Sequence, residues 1–559
     1  MNTIKMIRTI KYTLISFMAI SFLACENDAL EELRVRGNVE PVVLEEFDQG
    51  SADFSNYVSL GNSLTAGFSD GALYKISQQN SMPSILAQQF AMLGNGGTFT
   101  QPLMNDNIGG LLAGGSPLPG FNPRLVFDGS GPVPLPSLNS SAIPTTDILT
   151  NNPSGPFNNL GVPGAKSFHL LAPGYGDFNG VIATPPTANP YFVRMASSPN
   201  TSVIADAIAQ QPSFFTLWIG NNDVLGYALS GGDGSNPITP IEGPPGVGFT
   251  QTYQTIIASL MGNVPNLQGV LGNIPNVTAV PHFTTVPHNP LDPSNPDFAN
   301  QIPTLNAIYG ALNQVFEALG EPERTIEFST EQANAVVIQD ESLTNLSAQI
   351  TGALAPNPQF IALVESFGLP AQAAPLVANL LGVTYGQARQ ATPQDLFVLP
   401  SSSVIGTVNT DRVGFLVSQG LTQELAGQFS VEGISLPLED RWVLLPEEQQ
   451  DIQTATDQFN QVIADAASAN GFGLLDANSI LDELANSGLE TSGLILTSNL
   501  VTGGAFSLDG VHPTSRGYAL LANETLKVID ATYGSNFEAS GNLVDVSRFN
   551  TNYSPGLLE

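Results

Sequence analysis

Tyr57-Val58-Ser59-Leu60-Gly61-Asn62-Ser63-Leu64-Thr65-Ala66-Gly67 is the stretch that decides the fold. Four β-prone, largely apolar residues run without a spacer into a glycine, a polar pair and, four residues on, a second glycine. A strand that stops this sharply at a serine is how an α/β protein brings a hydroxyl to the carboxyl edge of its sheet. Gly61 and Gly67 leave room for a substrate to approach. Taken alone, the same string is also an ordinary strand-ending turn.

Outward from it, the rest of the chain supplies the partners a sheet needs. Phe214-Phe215-Thr216-Leu217-Trp218-Ile219 is an unbroken apolar run and reads as a buried strand. Gly269-Val270-Leu271, ended by Pro275, and Gly473-Leu474-Leu475-Asp476 are further strand signals. Helices are predicted at Ser81–Met92, with Ser81 as N-cap and Pro83 in the first turn, and at Ser202–Gln210. The clearest helix is Pro446–Ala469, with Glu447 and Glu448 in its first turn and Ile452, Phe459, Val462, Ile463 and Ala466 as its apolar stripe. Tyr518–Tyr533 closes the set. Strand and helix alternate at both ends of the chain, which predicts an α/β fold with a parallel sheet. Residues 105–160, rich in Gly, Pro, Asn and Ser, read as long loops.

Residues 289–440 break the pattern and read as a mixed α/β insertion packed on the core. Leu305, Ile308, Tyr309, Leu312, Val315, Phe316 and Leu319 recur at helical spacing; Val336–Ile338 and Leu396–Leu399 are strand candidates. A chain of 559 residues needs such an insertion or a second domain. Hydrophobic residues make up 42%, enough for a sizeable core, while 16 Lys+Arg face 49 Asp+Glu. That charge repels phosphate backbones, so no nucleic-acid partner is expected.

The N-terminus reads as a secretory signal. Lys5, Arg8 and Lys11 precede an apolar run from Tyr12 to Ala24 that is too short to span a bilayer. Cys25 follows, the chain's one cysteine, which excludes an internal disulfide and a zinc–thiolate cluster. Residues 25–53 read as an acidic, flexible tether.

Three further segments carry chemistry. Asn159-Leu160-Gly161-Val162-Pro163-Gly164-Ala165 reads as a turn in which Gly164 could present a bare backbone N–H to an oxyanion. Gly220-Asn221-Asn222-Asp223 ends the buried strand, and Asn222 offers a neutral side-chain donor. In Asp509-Gly510-Val511-His512-Pro513 a carboxylate sits three residues before a histidine, able to accept the imidazole Nδ1–H and leave Nε2 free to take a proton. Of the four histidines, His169, His282, His288 and His512, only His512 has a carboxylate at this spacing. His282, His288 and Asp292 do not make a recognised metal-ligand spacing.

The serine, glycine, Gly-x-Asn-Asp and Asp-x-x-His blocks, in this chain order, resemble the SGNH/GDSL hydrolase family over residues 54–288 and 441–535, leaving 536–559 as a C-terminal tail. The resemblance implies a three-layer α/β/α, flavodoxin-like core around a mostly parallel five-stranded sheet. It implies Ser63 as nucleophile, His512 as base and Asp509 as its orienter. The oxyanion hole would be the Ser63 and Gly164 N–H groups with the Asn222 side chain, and neither a metal nor an organic cofactor is called for. One departure is Asn62, where the family usually has Asp; an amide keeps an acceptor oxygen and adds donors, so the turn can survive. Leu23-Ala24-Cys25 resembles a bacterial lipobox, which implies a signal peptide over 1–24 and a lipidated Cys25 as membrane anchor. Glu26, Asp28, Glu31 and Glu32 behind it resemble the surface-export signals of some Gram-negative lipoproteins, implying an exported protein on the outer membrane. The substrate would be a lipid or other acyl ester, or an acetyl group on a polysaccharide. The alternative is a non-catalytic surface- or glycan-binding lipoprotein on the same scaffold.

Overall fold

Residues 44–92, 94 and 96–559 are described by a computed structural model. The expected signal peptide, Cys25 and most of the 25–53 tether lie outside the described residues. Five short strands form one all-parallel sheet: β1 (Tyr57–Gly61), β2 (Asn159–Gly161), β3 (Phe214–Trp218), β4 (Gln268–Gly272) and β5 (Gly473–Leu475), in the order β5-β4-β3-β1-β2. Register decides what this sheet can do. Gly61 lies opposite both Gly161 and Trp218, so β1, β2 and β3 end level with one another. The segments that leave these three strands, with Ser63, Gly164 and Asn222, therefore emerge side by side at one carboxyl edge.

Strand pleating sorts the core. Val58, Leu60, Phe215 and Leu217 enter one apolar cluster, while their neighbours Tyr57, Phe214 and Trp218 enter another. Ten helices matter below: α1 (Ser63–Ala66), α2 (Met82–Met92), α3 (Val203–Ala209), α4 (Asn221–Leu229), α5 (Phe249–Asn263), α6 (Pro281–Thr284), α7 (Ile302–Leu319), α8 (Pro446–Asn470), α9 (Ala477–Asn486) and α10 (Ser515–Tyr533). The first cluster draws on α3, α5 and α8, the second on α2 and α10.

Two sequence expectations change. Asn159–Gly161, read as part of a turn, is an edge strand. Its residues have low β-propensity, and pairing with β1 sets their conformation. Asn159 Nδ2 adds a bond to the Thr65 carbonyl at 3.0 Å, and a Cβ on Gly161 would run into the Ala66 backbone. Next, the packed chain begins within the span read as the 25–53 tether, because Ala52 is buried and Phe47 packs against Phe537 with ring centroids 4.9 Å apart. The 536–559 tail packs on the core: Phe537 is buried, and the Tyr553 hydroxyl meets Ser515 Oγ at 2.7 Å. The Gly/Pro-rich 105–160 region is ordered around a fully buried Arg124, whose Nε donates to the Asn107 carbonyl at 2.8 Å and Nη2 to that of Ser554 at 2.9 Å. It includes a hairpin of Leu125–Phe127 with Pro132–Pro134.

The insertion has an apolar cluster of its own, running from Val286 to Leu445 and centred on the α7 stripe. Val337–Gln339 pairs antiparallel with Ala388–Gln390, and Arg389 joins Asp340 and Asp395 across that corner at 2.6 and 2.7 Å. Where the insertion returns to the core, Glu341, Asp440 and Glu448 bring carboxylate oxygens within 4.8 Å of one another. Burial, then mutual repulsion, push Asp440 and Glu448 well above the usual carboxylate range. A carboxyl whose folded pKa is raised contributes stability that is present below its unfolded pKa and lost as pH rises through the folded one. Glu448→Gln keeps the acceptor that caps Leu445 N–H at 2.7 Å and removes the charge. Its Tm is expected to exceed that of the wild type at pH 8 and to match it at pH 5 in paired thermal melts.

Candidate active site

The site starts from the break at the end of β1. Asn62 is fully buried and caps α1, accepting the Leu64 N–H on Oδ1 at 3.0 Å. Its Nδ2 donates to Asn221 Oδ1 at 3.0 Å, tying the serine turn to the start of α4. The amide thus does the capping expected of an aspartate and adds a donor bond an aspartate could not make. Ser63 is the first residue of α1, so its N–H has no intrahelical partner.

Ser63 Oγ lies 3.0 Å from His512 Nε2, and His512 Nδ1 lies 2.9 Å from Asp509 Oδ2. The first of these contacts joins residues 449 positions apart in the chain. The His512 and Asp509 side chains are 16% and 13% exposed. Asp509 Oδ1 accepts the Val511 and His512 N–H groups, each at 2.8 Å, and the Ser507 hydroxyl at 3.1 Å; Oδ2 also accepts the Gly71 N–H at 2.8 Å. Burial alone would push this carboxyl up, but His512 and the donors hold it well below the usual carboxylate range. The imidazole ring also packs on Phe68, centroids 4.6 Å apart, and the Phe68 carbonyl is pinned by the Tyr518 hydroxyl at 2.7 Å.

The oxyanion donors expected from the sequence converge on the same edge. Gly164 adopts φ +81°, a conformation costly for any residue with a Cβ. Asn189 Nδ2 holds the adjoining Pro163 carbonyl at 2.8 Å. Asn222 Nδ2 donates to the Ala165 carbonyl at 2.9 Å, which sets the amide beside the Gly164 turn and leaves its second N–H. Among the described residues, neither the Ser63 nor the Gly164 N–H donates to a backbone oxygen. Asp223, fully buried, accepts the Ser167 N–H and hydroxyl at 2.8 Å each and locks the segment after Gly164 against α4. Burial pushes its carboxyl up to about 6.

The sequence reading missed the turn that supports the triad from behind. Ser69-Asp70-Gly71-Ala72 is a tight turn with φ of +53° at Asp70 and +76° at Gly71, and it delivers the Gly71 N–H to Asp509. Asp70 is 1% exposed; it accepts the Leu508 N–H at 3.1 Å and the Tyr74 hydroxyl at 2.6 Å, and its own N–H donates to Ser507 Oγ at 2.9 Å. The Asp-Gly dipeptide, a strong turn signal, was the available clue.

His169 and His282 take no part in the Ser63–His512–Asp509 relay. His169 Nδ1 accepts the Lys166 N–H at 3.0 Å, and burial lowers the ring's pKa to about 4. His282, on α6, donates its backbone N–H to the Gly510 carbonyl at 2.9 Å and so buttresses the His512 loop. Beyond α6 a cleft of about 900 Å³ opens between insertion and core, lined among others by Phe127, Val286, Leu291, Phe298 and Leu399. Leu399 of its lining also lies against Gly510, between Asp509 and His512.

Comparison with protein-family models, with curated proteins and with solved structures finds no match to the chain.

Proposed function

We propose that the protein is a serine ester hydrolase of the SGNH/GDSL type, exported and held on the bacterial outer membrane by a lipidated Cys25. One observation carries the catalytic reading. Ser63, His512 and Asp509 form an unbroken relay of 3.0 and 2.9 Å, beside two backbone N–H groups without a backbone partner among the described residues and a half-used amide at one sheet edge. A merely structural serine has no need of such surroundings. The sheet, with a separate apolar cluster fed by each face, supports the three-layer SGNH arrangement.

The chemistry follows from the geometry. His512 Nε2 takes the Ser63 proton as Oγ attacks the ester carbonyl, and Asp509 steadies the imidazolium that forms. The carbonyl oxygen becomes an alkoxide, stabilised by Ser63 N–H, Gly164 N–H and Asn222 Nδ2. Collapse expels the alcohol, which receives the proton from His512 and leaves an acyl group on Ser63. Water, deprotonated by the same imidazole, releases the acid and restores Ser63. No step requires a metal or organic cofactor.

The test is turnover of a panel of aryl esters by purified wild type and Asn222→Ala. The wild type is expected to hydrolyse them. The variant loses one oxyanion donor, so kcat is expected to fall by about two to three powers of ten with KM little changed. A chain that turns over none of the esters would contradict the proposal.

A further inference from the structure

Beside the relay the interior holds a void that the mechanism does not use. A slot of about 70 Å³ is bounded by Leu64, next in the chain to Ser63, and by Val511 and Pro513, on either side of His512. Trp218 at the end of β3 and Ala477 and Ile480 of α9 also line it. Every residue around it is apolar. Leu64 and Val511, with Pro275, Ile480 and Phe506, are partly exposed while Trp218, Ala477, Leu481 and Leu484 are buried, so the rim of the slot includes the chain neighbours of Ser63 and His512 and its floor lies at Trp218 and Ala477.

Native interiors keep few voids larger than a water molecule, because unfilled space forfeits dispersion contacts along its whole lining. Water does not settle in such a space, since it needs two to four polar partners and no polar side chain lines this one. A sugar would leave its hydroxyls unpaired there. What fits is a narrow, flexible hydrocarbon joined to the carbonyl that Ser63 attacks. We infer that the slot holds the acyl chain of the substrate, and that the enzyme selects short linear acyl esters of about four to six carbons. This volume takes roughly five water-sized spheres, which sets the chain length. The inference rests on the ester-hydrolase reading of Ser63. The 900 Å³ cleft is the less favoured acyl site, because none of its lining residues is a chain neighbour of Ser63 or His512.

The experiment measures kcat/KM of the full chain on nitrophenyl esters from acetate to dodecanoate. Each methylene that enters the slot is expected to raise kcat/KM roughly fourfold, with the rise ending near hexanoate. Two variants move the limit in opposite directions. Ala477→Leu fills the buried floor of the slot and is expected to lower the hexanoate-to-acetate ratio at least tenfold. Ile480→Ala widens the slot and is expected to shift the optimum to a longer chain. Loss of stability alone would not produce opposite shifts. If esters are hydrolysed but the profile is flat, prefers acetate, keeps rising to dodecanoate or ignores both variants, the slot is not the acyl site while the esterase stands. If no ester is hydrolysed, the esterase reading falls and takes this inference with it.

Discussion

An Asp509→Asn variant is expected to hydrolyse esters about four powers of ten more slowly than the wild type while remaining folded. The size of the effect follows from where each carboxylate oxygen points. Oδ1 accepts three donors, from Val511, His512 and Ser507, so the single oxygen of an asparagine is drawn to that side. The NH2 group then faces His512 Nδ1 and donates to it. Nδ1 becomes an acceptor, the ring proton moves to Nε2, and Nε2 can no longer receive the Ser63 proton. The same NH2 also meets the Gly71 N–H, donor against donor, which loosens the turn behind the triad. Circular dichroism that matches the wild type, with kcat/KM reduced by this amount, is the expected pair of readings. A loss of tenfold or less would mean that Asp509 does not set the tautomer.

Ser63→Ala carries the larger loss, about five to six powers of ten in kcat. Among the described residues, the one side-chain bond that Ser63 makes is the 3.0 Å contact with His512, and the turn around it is held by Asn62 and the backbone of α1. Removing one hydroxyl therefore removes the nucleophile and little else. Tm is expected to stay within a few degrees of the wild type, so lost activity cannot be assigned to lost fold.

Much of the site was legible in the sequence because its signals are local. Asp509 and His512 lie within one turn of chain, Ser63 sits where a strand string breaks, and Gly164 and Asn222 mark turns whose chemistry is visible in a few residues. What was not legible depends on contacts distant in sequence. The Gly71 N–H reaches Asp509 across 438 positions, and the Asp70–Leu508 bond spans the same distance, so no local pattern announces either. β2 was missed for a related reason: three residues of Asn, Leu and Gly become a strand only because β1 offers them a ladder. The packed C-terminus depends on Arg124, a buried cation whose partners are carbonyls contributed by both Asn107 and Ser554. Asn62 caps the turn through an acceptor oxygen that the sequence shows, whereas its bond to Asn221 depends on the sheet register that sets the two side by side.

The central claim is that Ser63 is an activated nucleophile. Treatment of the purified wild type with a fluorophosphonate probe, followed by intact mass and peptide mapping, tests it most directly. The predicted result is a single adduct on Ser63, absent from Ser63→Ala and strongly slowed in Asp509→Asn. No adduct on the wild type, or an adduct of equal yield on Ser63→Ala, would contradict it.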